Sequence, residues 1–130
     1  NTCRSPMAEA IFNDMAEKNG VCVRAESFGI ATSTGLPVSE NSVIACKEIG
    51  IDLSGKASTA VADAGIEKYE KFYCMSQSHA KMLMQFFLVQ PEKIAVLGIS
   101  DPYGGDIEVY RHCRDEIVNS VKEILKAYEN

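Results

Sequence analysis

The chain has 130 residues, enough for one domain around a single core and too few for two. Apolar residues make up 46% and charged residues 24%, an ordinary soluble balance, and the net charge of −5 excludes the clustered cations that nucleic acid requires. No run approaches the roughly 18 apolar residues of a membrane span, and no signal peptide is visible. The five cysteines form no CxxC pair and have only His79 and His112 as companions. The expectation is therefore a reduced, cytoplasmic chain with no structural zinc and no cofactor.

In chain order, Asn1-Thr2-Cys3-Arg4 reads as a tight loop feeding a helix, with Ser5 as N-cap and Pro6 at the first helical position. Met7, Ala8, Ile11, Phe12, Met15 and Ala16 recur at helical spacing, and Asn19-Gly20 ends the run. Backbone N–H groups at such a start, with the planar guanidinium of Arg4 beside them, make a cradle for an oxyanion. Val21, Val23 and Ala25 alternate with Cys22, Arg24 and Glu26 as in an edge strand. The Gly-, Ser- and Thr-rich stretch from Phe28 to Pro37 is a loop, either a wall of the site or a connector.

A second helix begins at Val38, carries Val43, Ile44 and Ile49, and ends at Gly50. Residues 51–57 connect, and Ser58 or Thr59 caps a short helix ending near Gly65. Phe72-Tyr73-Cys74-Met75 is a compact apolar run, as in a buried parallel strand. Ser76 or Ser78 caps the next helix, with Met82, Leu83, Phe86 and Phe87 facing inward and His79 solvated on its first turn. Ile94 to Leu97 form the last strand. From Asp106 a long helix carries the stripe Tyr110, Ile117, Val121, Ile124, Leu125 and Tyr128, with Arg111, Arg114, Asp115 and Glu116 on its solvated face. Cys22, Cys46, Cys74 and Cys113 read as small buried apolar side chains. Strands alternating with helices argue for a doubly wound α/β sheet, whose ligands bind beyond the carboxyl ends of the strands. Asp101-Pro102-Tyr103-Gly104-Gly105 follows the last strand and falls at that edge. Residues 1–130 form one domain, without repeat or linker.

The opening Asn1-Thr2-Cys3-Arg4-Ser5-Pro6-Met7-Ala8-Glu9-Ala10 resembles the second half of the phosphate loop of the low-molecular-weight protein tyrosine phosphatase family. That loop has the order Cys-x-Gly-Asn-x-Cys-Arg-Ser-Pro. The resemblance continues at Gly50-Ile51-Asp52-Leu53-Ser54 and at Asp101-Pro102-Tyr103-Gly104-Gly105, in the family's order across nearly the whole chain. It implies a three-layer α/β fold, a sheet of four parallel strands with helices on both faces. The family's nucleophilic cysteine stands six residues ahead of the loop arginine, which is three positions before Asn1. The family's first strand precedes that cysteine. These 130 residues alone are thus expected to be inactive, and a preceding segment or a second chain is expected to supply the strand. The loss of about five buried apolar side chains at about 1.5–3 kcal/mol each is large beside the stability of a whole domain.

The resemblance assigns roles residue by residue. Arg4 and the loop amides hold the phosphoryl oxygens, Ser5 supports the thiolate, Asn1 fixes the loop, Asp101 is the general acid and Tyr103 lines the pocket wall. Cys3 is either the partner of a reversible disulfide with the nucleophile or a packed loop thiol. Family members often carry a bulky polar residue near Gly55, where this chain has glycine. Thr2 bears on substrate: phosphotyrosine enzymes of the family usually have Ile or Leu there, whereas the bacterial protein-arginine phosphatase branch has Thr. The implied function is hydrolysis of phosphoarginine on proteins through phosphocysteine, with no metal. The alternatives are a protein-tyrosine phosphatase and a non-catalytic phosphate-binding domain.

Overall fold

A computed structural model describes residues 4–29, 35, 37–57 and 65–128 of the chain. The expected short helix over residues 58–65 falls almost wholly outside them, as do Asn1, Thr2 and Cys3. Helix α1 runs Arg4–Lys18, α2 Glu40–Lys47, strand β1 Phe72–Cys74, α3 Gln77–Phe86, β2 Ile94–Val96 and α4 Ile107–Lys126. Single 3₁₀ turns at Ile66–Lys68 and Pro91–Lys93 lead into the two strands. Among the described residues no helix is long and apolar enough to cross a membrane.

The strands pair in parallel, with Phe72 opposite Ile94, Tyr73 opposite Ala95 and Cys74 opposite Val96. The ladder continues past β2, where the Leu97 N–H donates to Cys74 O at 2.8 Å and the Ile99 N–H to Met75 O at 3.0 Å. Side-chain alternation divides the interior in two. Phe72 and Cys74 pack with Ala80, Leu83 and Val89 on the α3 face. Met75 and Ile99 face the other way, into the larger core of Met7, Ile11, Phe12, Ala16, Ile117, Val121 and Leu125. The parallel pair thus carries helices on both faces, the α/β layering expected; these two strands are the sheet of the described residues, against an expected four.

Several elements depart from the sequence expectation for traceable reasons. Helix α1 already includes Arg4, so Ser5 and Pro6 lie in its first turn, where proline costs no hydrogen bond, and Ser5 is not its N-cap. Residues 21–25 alternate between half-buried and exposed as an edge strand does, yet pair with no strand among the described residues. The side chain of Asn13 takes the backbone of Ala25: the Ala25 N–H donates to Asn13 Oδ1 at 2.7 Å, and Asn13 Nδ2 donates to Ala25 O at 3.0 Å. Helix α2 starts two residues later than expected and buries Ser42, Ala45 and Cys46, leaving Ile44 and Ile49 largely exposed. On α3 the inward row is Ala80, Leu83 and Phe87, at i, i+3 and i+7, so Phe86 turns to solvent at 69% exposure. Cys22 is exposed rather than buried.

Helix α4 carries most of its expected stripe, with Ile117 and Leu125 fully buried and Cys113 added to it, but Tyr128 falls past the helix end at Lys126 and is exposed. Its supposed solvated face instead clamps α2. Arg111 donates to Glu48 from Nε and Nη2, and Arg114 donates from Nη1 to Glu48 Oε1 and to Ala45 O, both at 2.8 Å. These bonds, led by those from Arg111, hold the Glu48 carboxyl below its usual range.

The loop entering α4 is tightly built. Pro102 is fully buried, the Gly105 N–H donates to Pro102 O at 2.8 Å, and Asp106 caps α4 by accepting from the Val109 N–H at 3.2 Å. A Cβ on Gly105 would meet Val109 Cβ at 2.8 Å and Pro102 O at 3.0 Å. Gly105→Ala is expected to lower stability by about 1–3 kcal/mol, read as a fall in the midpoint of urea unfolding; an unchanged midpoint would mean that α4 shifts freely to admit the methyl.

Candidate active site

The start of α1 is tied to the carboxyl end of the strands. Arg4 is 6% exposed, and its Nη1 donates to Ile99 O at 2.6 Å. Because Ile99 is itself held to Met75, the guanidinium is fixed to the sheet two residues short of Asp101. A cation buried at the positive end of a helix is held against the dipole, an arrangement that an anion relieves. From Arg4 one stripe of α1 (Arg4, Ser5, Ala8, Glu9, Phe12) forms a wall of a cavity of about 450 Å³. Asp101 and Tyr103 from the loop after β2 and His79 from the first turn of α3 line the same cavity. Residues from the two ends of the chain, far apart in sequence, therefore line one cavity, and Arg4 and Asp101 are both close enough to act on His79.

Each group there is positioned by its own element. Asp101 Oδ1 accepts from the Tyr103 N–H at 3.0 Å, closing an Asx turn over the buried Pro102. Asp101 is exposed and Tyr103 is 80% exposed, so the expected wall residue stands at the rim. His79 is half-buried rather than solvated, and its backbone N–H donates to Ser76 Oγ at 3.5 Å. Burial first, and then the nearby Arg4 cation, lower its pKa from the ordinary value, with Asp101 opposing. The sequence reading passed over this residue because a histidine in a first turn carries no sign of what faces it.

Glu9 was also missed. Its carboxylate accepts from the Ser27 N–H and Oγ, both at 2.8 Å, and pairs with Lys56. Alongside Gly55, which has no side chain to offer, Lys56 thus ties the connector after α2 to α1. Further along the cavity the lining turns apolar, with Phe12, Phe72, Tyr73, Cys74, Met75, Leu97, Val121 and Ile124 beside β1. Its far end is an aromatic corner, where Phe28, Tyr69 and Phe72 stand with ring centroids 5.7–6.3 Å apart. Tyr69 donates to Glu26, and burial, followed by that carboxylate, pushes the phenol up to about 12. Of the expected loop wall, Phe28 and Gly29 line the cavity; residues 30–34 and 36 lie outside the described residues.

Cys74 on the cavity wall and Cys46 in the core are not activated thiols. Burial pushes each up to about 11, so both stay protonated at neutral pH.

A family model for low molecular weight phosphotyrosine protein phosphatase matches residues 1–130. The chain belongs to the low molecular weight phosphotyrosine protein phosphatase family. Among its relatives in this phosphatase family, the protein-arginine-phosphatase of Bacillus subtilis (strain 168) is 30% identical over 97% of this chain and 89% of its own. The solved structure of YwlE arginine phosphatase, a cysteine-to-serine variant with a phosphorylated active site serine, superposes with a TM-score of 0.92 at 29% identity, covering 98% of this chain and 89% of that one. The low molecular weight protein tyrosine phosphatase from T. tengcongensis also reaches 0.92, at 30% identity over 98% of this chain and 92% of its own. The family and the arginine-phosphatase branch named from the motifs are thus both found, and tyrosine phosphatases stand beside them.

Proposed function

We propose that this protein is a cytoplasmic protein phosphatase that hydrolyses phosphoarginine through a phosphocysteine intermediate. The observation that carries the reading is the meeting of Arg4 and Asp101 in one cavity. Arg4 with Asn1, Thr2, Cys3 and Ser5 of the loop surrounds the phosphoryl group. A thiolate six residues ahead of Arg4, where the family's loop has its nucleophile, attacks phosphorus. The P–N bond breaks as the protonated Asp101 gives its proton to the leaving guanidino nitrogen. Water, losing a proton to Asp101, then attacks phosphorus, and the P–S bond breaks to free phosphate and thiolate. Cys3 guards the nucleophile as a reversible disulfide when an external two-electron oxidant such as a peroxide takes the electrons. Tyr103 at the rim covers the entrance.

The choice of arginine rests on Thr2, whose hydroxyl accepts a hydrogen bond from a guanidino group where Ile offers none. It also rests on the arginine phosphatases among the relatives. The phosphorylated serine of the YwlE variant favours covalent transfer onto the corresponding cysteine. The apolar part of the cavity follows the open edge of β1 among the described residues. The likeness to a tyrosine phosphatase at a TM-score of 0.92 favours phosphotyrosine as the second reading.

Full-length protein assayed on matched peptides separates the two. Phosphoarginine is the preferred substrate, and Thr2→Ile moves the ratio of kcat/KM values toward phosphotyrosine by about 10-fold or more. A wild-type preference for phosphotyrosine that Thr2→Ile leaves unchanged would overturn the assignment.

A further inference from the structure

We propose that His79 is a specificity-determining residue of this site, its neutral imidazole accepting a hydrogen bond from the guanidino group of a phosphoarginine side chain. The inference rests on the phosphoarginine reading and deepens it. A guanidino group brings several N–H donors into the cavity, and each one taken from water needs an acceptor there. Of the described side chains on the cavity near Arg4, Arg4 only donates, the Glu9 carboxylate already accepts from Ser27 and pairs with Lys56, the Ser5 hydroxyl belongs to the phosphate loop, and Asp101 supplies one carboxylate, already accepting from the Tyr103 N–H. The Tyr103 hydroxyl belongs to a side chain standing 80% in solvent. The imidazole of His79 is the further acceptor, half-buried on the same cavity and set by the first turn of a ten-residue helix. An imidazole accepts only in its neutral form. Burial and the Arg4 cation both act toward that form, against the single opposing carboxylate of Asp101. A phenyl ring bears no donor, so the same contact gains nothing from phosphotyrosine.

The test uses full-length wild type, His79→Phe and His79→Gln, with kcat and KM measured on matched phosphoarginine and phosphotyrosine peptides. His79→Phe is expected to lower the phosphoarginine-to-phosphotyrosine ratio of kcat/KM by about 10-fold or more, chiefly through KM. His79→Gln, whose amide oxygen also accepts, recovers most of it. A ratio unchanged in His79→Phe, or a fall that His79→Gln does not relieve, overturns the role of His79 while leaving the phosphatase reading intact. A wild type that turns over neither peptide overturns the phosphatase reading and this inference with it.

Discussion

Asp101→Ala is expected to slow turnover of a phosphoarginine peptide by about 10²–10⁴-fold, the range associated with a positioned general acid. The side chain is exposed at the cavity rim, and the loop that presents it is held by the buried Pro102 and the bond from the Gly105 N–H to Pro102 O. Removing the carboxylate therefore leaves the protein's anchorage in place, and thermal unfolding should move little. Asp101→Asn is the sharper variant. Its amide oxygen can still accept from the Tyr103 N–H and keep the turn, but it has no acidic proton to give. Equal loss in both variants, with stability near wild type, identifies proton transfer as the missing step. Recovery of turnover in Asp101→Asn would mean instead that the residue serves the loop's shape.

Arg4→Lys is expected to lower kcat/KM by about 10²–10³-fold, the loss found when a donor to developing negative charge is removed. A lysine keeps the charge but not the planar fork, and it cannot at once hold Ile99 O and embrace phosphoryl oxygens. Because Arg4 is 6% exposed and bonded across the molecule, a fall in melting temperature should accompany the loss. The combination distinguishes Arg4 from Asp101, whose removal acts on rate alone.

What the sequence revealed about this fold was whatever repeats within a single element. The stripe Met7, Ile11, Phe12 and Ala16 and that of Ile117, Val121 and Leu125 are helical periods visible in one dimension, and both became core. Phe72 to Met75 likewise announced a buried strand, and Asp106 the start of the last helix. What escaped notice depends on a partner remote in sequence. The backbone of Ala25 is satisfied by Asn13 in place of a neighbouring strand, which no alternation of valines could disclose. Arg114 has the look of a solvated residue until Glu48 and the Ala45 carbonyl come beside it. Phe86 and Phe87 are equally apolar, and the phase of α3 against the strands decides that only the second is covered.

The candidate site divides in the same way. Arg4, Ser5, Asp101 and Tyr103 were marked by motif and reach one cavity, although the sequence alone could not give that meeting a geometry. The aromatic corner of Phe28, Tyr69 and Phe72 had no motif to betray it. Glu9 lay inside the opening motif but with no role attached to it, and His79 is one of two helix histidines with nothing in the sequence to tell them apart.

A vanadate titration of full-length wild type, Asp101→Ala and Arg4→Lys, followed by calorimetry, weighs most directly the claim that one residue holds the phosphoryl group and the other moves the proton. Binding should persist with near-wild-type affinity when the carboxylate is gone and weaken severely when the guanidinium is replaced. Equal weakening in both variants, or unimpaired binding without the guanidinium, would contradict the account.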